Sequence, residues 1–516
     1  MKRSLTGSRG DSPWNSPEFS LWNKVPLLLM GAGALTACDR QKPNILIIQC
    51  DQLATRAIGA YGQMQGYTEV IDSLARNGVI FDNAYTACGL SQPSRTALLT
   101  GLYPHQSGVR SNSGKWLNHD VDESLPTLGQ IFSEAGYNTV HFGKRHDCGA
   151  LRGFTHKEPE QTKYEDSLVP LNQDSFKDVG TCADAVGFLS DPGAEPFICM
   201  VDFQNPHNIC GYVGSAAGPH DVAESADLPP LPDNFEVEDW SALPIPVQYL
   251  CCNHRRLEQA SHWSPENYRQ YIAAYMRYVE IVCAQIRQVL NALESTPAGR
   301  NTIIVLLADH GDAMASHRMV TKMVDFHEES VKVPLIICGP GIPGRGEHLG
   351  QLVQTSTDFI PTLCGLAGIQ APSSLKGISQ APSVLGRRQV ENHSYVVSEW
   401  HSEYDRIVSP GRMIRSVEGF KYTHYLEGNG EELYDLTNDP GEMHNLARNP
   451  RYADVLERHR AMLDEYIAAS GDDYRSLQVK VDPKYRMHAP GYPSHIDGYN
   501  LWNFCNPSAA PSSENP

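Results

Sequence analysis

The chain lacks a surplus of positive charge. Its 42 lysines and arginines face 60 aspartates and glutamates, a net charge of −18, which excludes the broad basic footprint that nucleic acid demands. A pocket for a small anion is still allowed, because a few cations at close range outweigh a remote acidic surface. No pair among the 13 cysteines has the Cys-x-x-Cys spacing of a zinc site. No internal repeat is visible. The N-terminal apolar stretch Val25 to Leu35 is too short to be a permanent membrane span.

That stretch has another reading. Lys2, Arg3, Arg9 and Lys24 precede it, and Leu35-Thr36-Ala37-Cys38 closes it. This resembles a bacterial lipobox, so residues 1–38 are expected to be a lipoprotein-type signal that leaves Cys38 lipidated. The expected location is periplasmic or cell-surface, with membrane contact only through that lipid. A cleaved signal with a chance cysteine is the alternative. Cys50, Cys199, Cys283 and Cys338 sit in apolar patterns and read as core. Cys210 and Cys251-Cys252 are disulfide candidates whose pairing the sequence does not give.

Short apolar runs alternate with helical spacing. Asn44 to Cys50, Thr139 to Phe142, Pro196 to Phe203, Asn301 to Ala308 and Val333 to Cys338 read as buried strands. Thr68 to Asn77, Ser94 to Thr100, Leu128 to Gly136 and Tyr268 to Leu293 read as helices. This is an α/β pattern with a mixed, mainly parallel sheet flanked by helices, and such sheets collect ligands at the carboxyl ends of their strands. After about residue 395 the pattern becomes short antiparallel strands followed by an amphipathic helix, Ala453 to Ala469. The expected organisation is a catalytic domain over 43–394, a smaller α+β domain over 395–478 and a tail over 479–516. The tail carries Tyr485, His488, Tyr492, His495, Tyr499 and Trp502. These rings suit sugar faces, and the tail is expected to fold back over the catalytic domain.

Polar groups cluster at the strand ends. Asp51 and Gln52 follow the first strand, and Asp309 and His310 follow the Asn301 to Ala308 strand. Two carboxylates and an amide oxygen suit a hard divalent cation, Ca²⁺ first, with Mg²⁺ or Mn²⁺ as alternatives. Lys144 and His146 follow Phe142, His207 follows Phe203, and Lys322 lies in the loop after Asp309. Lysines and histidines beside a divalent metal suit a multiply oxygenated anion. Each residue taken alone could equally be a helix cap or a solvated side chain.

Six stretches in order carry a resemblance. They are Ser91-Gln92-Pro93-Ser94-Arg95-Thr96-Ala97-Leu98-Leu99-Thr100-Gly101, Gly143-Lys144-Arg145-His146, Pro206-His207, Asp309-His310-Gly311, Glu328-Glu329-Ser330-Val331-Lys332-Val333-Pro334-Leu335, and Glu432-Leu433-Tyr434-Asp435-Leu436 through Asn445-Leu446. Together they resemble the type I, formylglycine-dependent sulfatases of the alkaline phosphatase superfamily, over roughly residues 44 to 450. The resemblance implies hydrolysis of sulfate monoesters, on a sulfated carbohydrate. Ser91, not Cys88, takes the nucleophile position, oxidised to formylglycine by a serine-type radical maturase. Arg95 is implied to belong to the modification signal and to hydrogen-bond residue 91. The metal would be held by Asp51, Gln52, Asp309, His310 and the modified Ser91. Lys144 and Lys322 would stabilise sulfate charge, His207 would protonate the leaving alcohol, and His146 would take the proton of the second hydroxyl. No motif places a histidine base beside Ser91. Asp51-Gln52 and Asp309-His310 depart from the family's commoner Asp-Asp and Asp-Asn. They resemble phosphonate monoester hydrolases and choline sulfatases of the same superfamily, which keeps phosphoryl-ester hydrolysis as the second reading. An inactive lipid-anchored glycan binder is the third.

Overall fold

The computed structural model describes residues 42–481, except 63, 65, 113–118, 158–175, 215–221, 224, 238–241, 245, 248–259, 261–262, 323–325, 388–391 and 402–406. The signal reading, Cys251-Cys252 and nearly all of the tail fall outside the described residues.

Eight strands form the main sheet: β1 (Asn44–Cys50), β2 (Gly78–Tyr85), β3 (Asn138–Gly143), β4 (Thr155–Lys157), β5 (Phe197–Phe203), β6 (Thr302–Ala308), β7 (Leu335–Cys338) and β8 (Glu347–Gln354). Their order is β4-β3-β5-β1-β6-β7-β2-β8. Only β7 runs against its neighbours. Every residue of β1, β5 and β6 is buried. That is why these strands read as near-continuous apolar runs: helices cover both faces of a parallel sheet. The register sets Cys50 beside Phe203 on one side and Ala308 on the other. The next residues, Asp51 and Asp309, therefore emerge together at the carboxyl edge.

The second sheet has the order β13-β12-β11-β9, all antiparallel, from β9 (Tyr395–Trp400), β11 (Gly411–Ser416), β12 (Phe420–Tyr425) and β13 (Gly430–Asp435). A separate two-residue antiparallel pair joins β10 (Ile407–Val408) to β14 (Lys480–Val481). Val397, Ile414, Tyr422 and Leu433 are cross-strand neighbours in one row. They pack with Leu456, Leu463 and Tyr466 of the helix Ala453–Ser470. Each such burial stabilises the fold by roughly 1.5–3 kcal/mol. The two sheets are tied where the Glu399 N–H donates to Ala87 O at 2.7 Å and the Ser398 hydroxyl to Thr86 O. Among the described residues no helix is long and apolar enough to cross a membrane.

Candidate active site

Ser91 opens the helix Ser91–Thr100 and is 1% exposed. Its Oγ lies 2.9 Å from His310 Nε2 and 3.4 Å from Lys322 Nζ. A histidine does therefore stand beside the hydroxyl, contrary to the sequence reading. The reason is the register: His310 follows β6 by two residues and meets the start of a helix from a distant part of the chain. His310 Nδ1 is 2.9 Å from Gly311 O. A carbonyl only accepts, so Nδ1 carries the ring proton and Nε2 presents a lone pair. Burial lowers the His310 pKa to about 4, which keeps the ring neutral.

Arg95 joins the acidic strand ends. Nε donates to Asp309 at 2.9 Å, Nη1 to Asp202 at 2.8 Å and Nη2 to Asp51 at 3.1 Å. The guanidinium is 3% exposed. Burial opposes its charge, yet Asp309, Asp202 and Asp51 together push its pKa further up. The expected bond from Arg95 to residue 91 is not made in the serine form, because three carboxylates surround the guanidinium. Lys144 Nζ sits 2.6 Å from Asp51 Oδ2. It is delivered by Gly143, whose φ is +104° and where a Cβ would fall 2.1 Å from Asp202 O, so only glycine fits. Burial alone would raise the Asp51 carboxyl; Lys144, His207, Lys322 and Arg95 outweigh it and hold the group well below the usual range.

Gln52 is fully buried with φ +68°. Its Oε1 accepts from Lys322 Nζ at 2.9 Å and from the Cys210 thiol at 3.4 Å. Cys210 is a free, buried thiol, not half of a disulfide. Cys88 is also buried, which pushes its thiol pKa up to about 12.

A divalent cation fits these residues. Ligand atoms of Asp51, Asp309 and His310 all lie within 4.8 Å of one another. Asp51 Oδ1 is buried without a hydrogen-bond partner. It stands 3.9 Å from both His310 Nε2 and Lys322 Nζ. Such an orphaned anionic oxygen is costly unless a cation meets it. Carboxylate and amide oxygens are the donors that hard divalent ions take.

His146 and His207 flank the group, each close enough to interact with Asp51. His146 Nε2 is 3.2 Å from Asn112 O, and its Nδ1 is buried without a partner. Burial, then Lys144, lowers its pKa to about 4. His207 Nδ1 lies 2.7 Å from Gln204 Nε2; the amide can only donate there, so the His207 proton sits on Nε2.

Several supporting residues escaped the sequence reading. Asp202 bonds Arg95 and His141. Asp178 takes the N–H groups of Gln204 and Asn205 at 2.6 and 2.8 Å, fixing the turn that carries His207. Asp312 holds the Gln52 amide at 2.6 Å. Tyr271 and Tyr275, from the helix Pro265–Glu294, reach Asp312 and the Gln52 carbonyl. Asp312 had a signal, since it closes Asp309-His310-Gly311-Asp312. The tyrosines had none, being ordinary apolar positions of an amphipathic helix.

The comparisons settle the family. A sulfatase family model matches residues 43–369. The chain belongs to the sulfatase family. It is a sulfuric ester hydrolase of the alkaline-phosphatase-like fold. A second model, that of the N-sulphoglucosamine sulphohydrolase C-terminal region, matches residues 316–469. This sulfatase is 59% identical over 471 residues to a Δ4,5-hexuronate-2-O-sulfatase of Bacteroides thetaiotaomicron, covering 91% of this chain and 97% of that protein. The structure of a 2-O GAG sulfatase superposes with a TM-score of 0.83 at 59% identity, covering 88% of this chain and 98% of the other. A phosphonate monoester hydrolase of Agrobacterium radiobacter shares the fold, with a TM-score of 0.67 at 23% identity over 84% of this chain and 97% of that one.

Proposed function

We propose that this sulfatase removes the 2-O-sulfate from an unsaturated hexuronate at the end of a glycosaminoglycan fragment, with formylglycine made from Ser91 and with Ca²⁺ as its metal. The near full-length similarity to the Bacteroides Δ4,5-hexuronate-2-O-sulfatase carries this reading. The lipobox-like end at Cys38 adds export to the periplasm or cell surface, and the serine at position 91 adds a serine-type radical maturase as a partner in biogenesis.

Asp51, Gln52, Asp309 and His310 would hold the cation. Hydrated formylglycine supplies the attacking oxygen at residue 91, and the cation supplies positive charge for that oxygen and for the sulfate. The chain's own residues do the rest. Lys322 Nζ and Lys144 Nζ, both beside Asp51, bind the sulfate oxygens and stabilise charge as it builds. His207 holds its proton on Nε2 and gives it to the leaving sugar oxygen. His146 accepts a proton at its bare Nδ1 when the product leaves; its pKa of about 4 keeps that nitrogen free at neutral pH. Arg95 holds Asp51, Asp202 and Asp309 in place through three buried hydrogen bonds.

The test is sulfate release, read by ion chromatography, from protein co-expressed with a serine-type maturase. Unsaturated disaccharides sulfated at O2 of the uronate are compared with isomers sulfated at O6 of the hexosamine. The 2-O isomer should be preferred at least about a hundredfold. Preference for the O6 isomer, or for phosphate diesters and phosphonates, would overturn the assignment. A mass spectrum of the peptide containing residue 91 should show formylglycine in the active protein and serine in the inactive one.

A further inference from the structure

The loop Asp312 to Lys322 carries Lys322 to the nucleophile, and its backbone does not relax into ordinary conformations. Met314, Ala315, His317, Arg318 and Thr321 all have positive φ, between +45° and +72°. Non-glycine residues hold such angles only when their surroundings over-determine them. Two backbone bonds, Ala313 N to Thr321 O at 2.7 Å and Ala315 N to Met319 O at 3.1 Å, close the loop on itself. They do not fix where it sits relative to Ser91.

Several groups outside the loop hold its middle, the Asn234 carbonyl and Tyr268 Oη among them, but one side chain holds both of its ends. The Thr321 N–H donates to Tyr271 Oη at 2.8 Å, and Tyr271 Oη is 2.6 Å from Asp312 Oδ1. A single phenol therefore pins both ends of the loop. The directions follow from chemistry. The phenol oxygen already accepts from Thr321, so its own proton goes to Asp312. Asp312 Oδ2 then accepts from Gln52 Nε2 at 2.6 Å. That bond decides which end of the Gln52 amide faces which way: the nitrogen turns to Asp312 and Oε1 turns to Lys322 Nζ at 2.9 Å. Lys322 follows Thr321 directly, so Tyr271, Asp312, Gln52, Lys322 and Thr321 make a closed ring of bonds. Tyr271, Asp312, Gln52, Thr321 and Lys322 are all at most 2% exposed, so no water competes freely for these donors.

We propose that Tyr271 is a positioning residue of this sulfatase: through Asp312 it turns the Gln52 oxygen toward the cation site, and through Thr321 it sets the Lys322 ammonium against residue 91. It touches neither substrate nor metal. The proposal rests on the sulfatase reading of the site, though not on which sugar is cleaved.

The test is Tyr271→Phe in the full, matured chain, assayed on whichever sulfate ester the wild type turns over. Tyr268→Phe is the control, since Tyr268 sits on the same helix, is equally buried, and bonds Arg318 O of the same loop at 2.8 Å without touching Asp312. Tyr271→Phe should lower kcat about ten- to a hundredfold, the range expected for a sub-ångström misplacement, with KM changed less than about threefold. Tyr268→Phe should lose thermal stability but keep kcat within about twofold. In a Lys322→Ala background, adding Tyr271→Phe should cost clearly less than it does in the wild type, because the branch through Thr321 to Lys322 is already gone and only the Gln52 branch remains. Demetallated Tyr271→Phe should also bind Ca²⁺ about tenfold more weakly by calorimetric titration, a measurement that needs no activity. Asp312→Asn, which keeps the shape and spoils one of the two acceptor positions, should repeat the kinetic signature if Tyr271→Phe does not fold. Equal kcat losses in Tyr271→Phe and Tyr268→Phe, additive losses with Lys322→Ala, or unchanged Ca²⁺ affinity would each overturn the positioning role. A wild type without sulfate release would instead sink the proposed function, and the calorimetric comparison would still judge Tyr271.

Discussion

Two buried charge clusters in this sulfatase are built from the same residue types and behave differently. Beside Ser91, Asp51, Asp309 and His310 converge; at the junction of the two sheets, His105, Glu399 and Asp472 converge with the same closeness. In the second cluster Arg412 already occupies the centre. Its Nε and Nη2 bond Asp472 at 2.7 and 2.9 Å, Nη2 meets His401 at 3.1 Å, and Tyr474 lies under the guanidinium at 4.6 Å. Glu399 takes His105 Nδ1 and the Tyr466 hydroxyl, both at 2.5 Å. No side-chain atom of Glu399, Arg412, Asp472 or His105 is buried without a partner, whereas Asp51 Oδ1 is. The difference teaches how to tell a metal site from a structural one. Proximity of carboxylate and imidazole is common to both. What separates them is whether every carboxylate oxygen finds a partner within the chain: Asp51 Oδ1 is left open even though Arg95 and Lys144 bond the other oxygen of the same carboxylate.

The sharpest way to break this comparison is to remove a carboxylate from the open cluster. Asp51→Asn or Asp309→Asn should lower kcat on the order of a thousandfold or more. The fold should persist, because Arg95 keeps Asp202 and the other aspartate. Steady-state rates with a thermal melt check both halves, and normal rates in both variants would remove the metal assignment. Removing the cation of the closed cluster should do the reverse. Arg412→Met leaves Asp472 buried without its cation, while Glu399 keeps only His105 and Tyr466, a loss of about 3–5 kcal/mol. Chemical denaturation should show that loss, while kcat per folded molecule stays near wild type.

His207 sharpens the comparison from the substrate side. His207→Ala should slow a sugar sulfate about a hundredfold and an activated aryl sulfate less than tenfold, because only the sugar needs a proton on its leaving oxygen. Equal losses would take the acid role away from His207.

The smallest effect is on pH. His105 is the exception to burial: desolvation opposes its charge, but Glu399 outweighs it and raises its pKa. Its stabilisation is therefore complete below about 6.5 and is lost as pH rises through the raised value. His310 has the opposite sign. Its folded pKa of about 4 lies under the unfolded one, so the open cluster weakens as pH falls from about 6.5 toward 4. His105→Gln should flatten the alkaline side of a melting-temperature profile above about pH 6.5 and leave the acid side unchanged. A flattened acid side would mean that His105 is not the titrating group.

Much of this was legible beforehand, for identifiable reasons. β1, β5 and β6 are buried on both faces, so their sequences are apolar without interruption and end in the charges they deliver. β8 was not read, because Glu347-His348-Leu349-Gly350 lies at the exposed edge and carries no burial pattern. β2 was missed because Asp82-Asn83 interrupts it at a register shift. The helix Thr355–Ala367 hid behind Pro361. At the site, residues supplied by motifs could be listed from the sequence. Those acting through one intermediate, such as Asp178, Asp202 and Tyr271, could not, because their relevance lies in contacts between distant segments.

The pairing of β1 with β6 also governs when the cation can act. Gln52 and Asp309 are 257 residues apart, yet the N–H of one meets the carboxylate of the other at 3.0 Å. No partly folded chain without both strands in register can offer the ion more than one aspartate. The ion therefore binds the finished sheet and not its precursors, so its binding free energy accrues to the whole domain by mass action. Dissolved metal would then set how long the folded enzyme survives, even in the absence of anything to cleave.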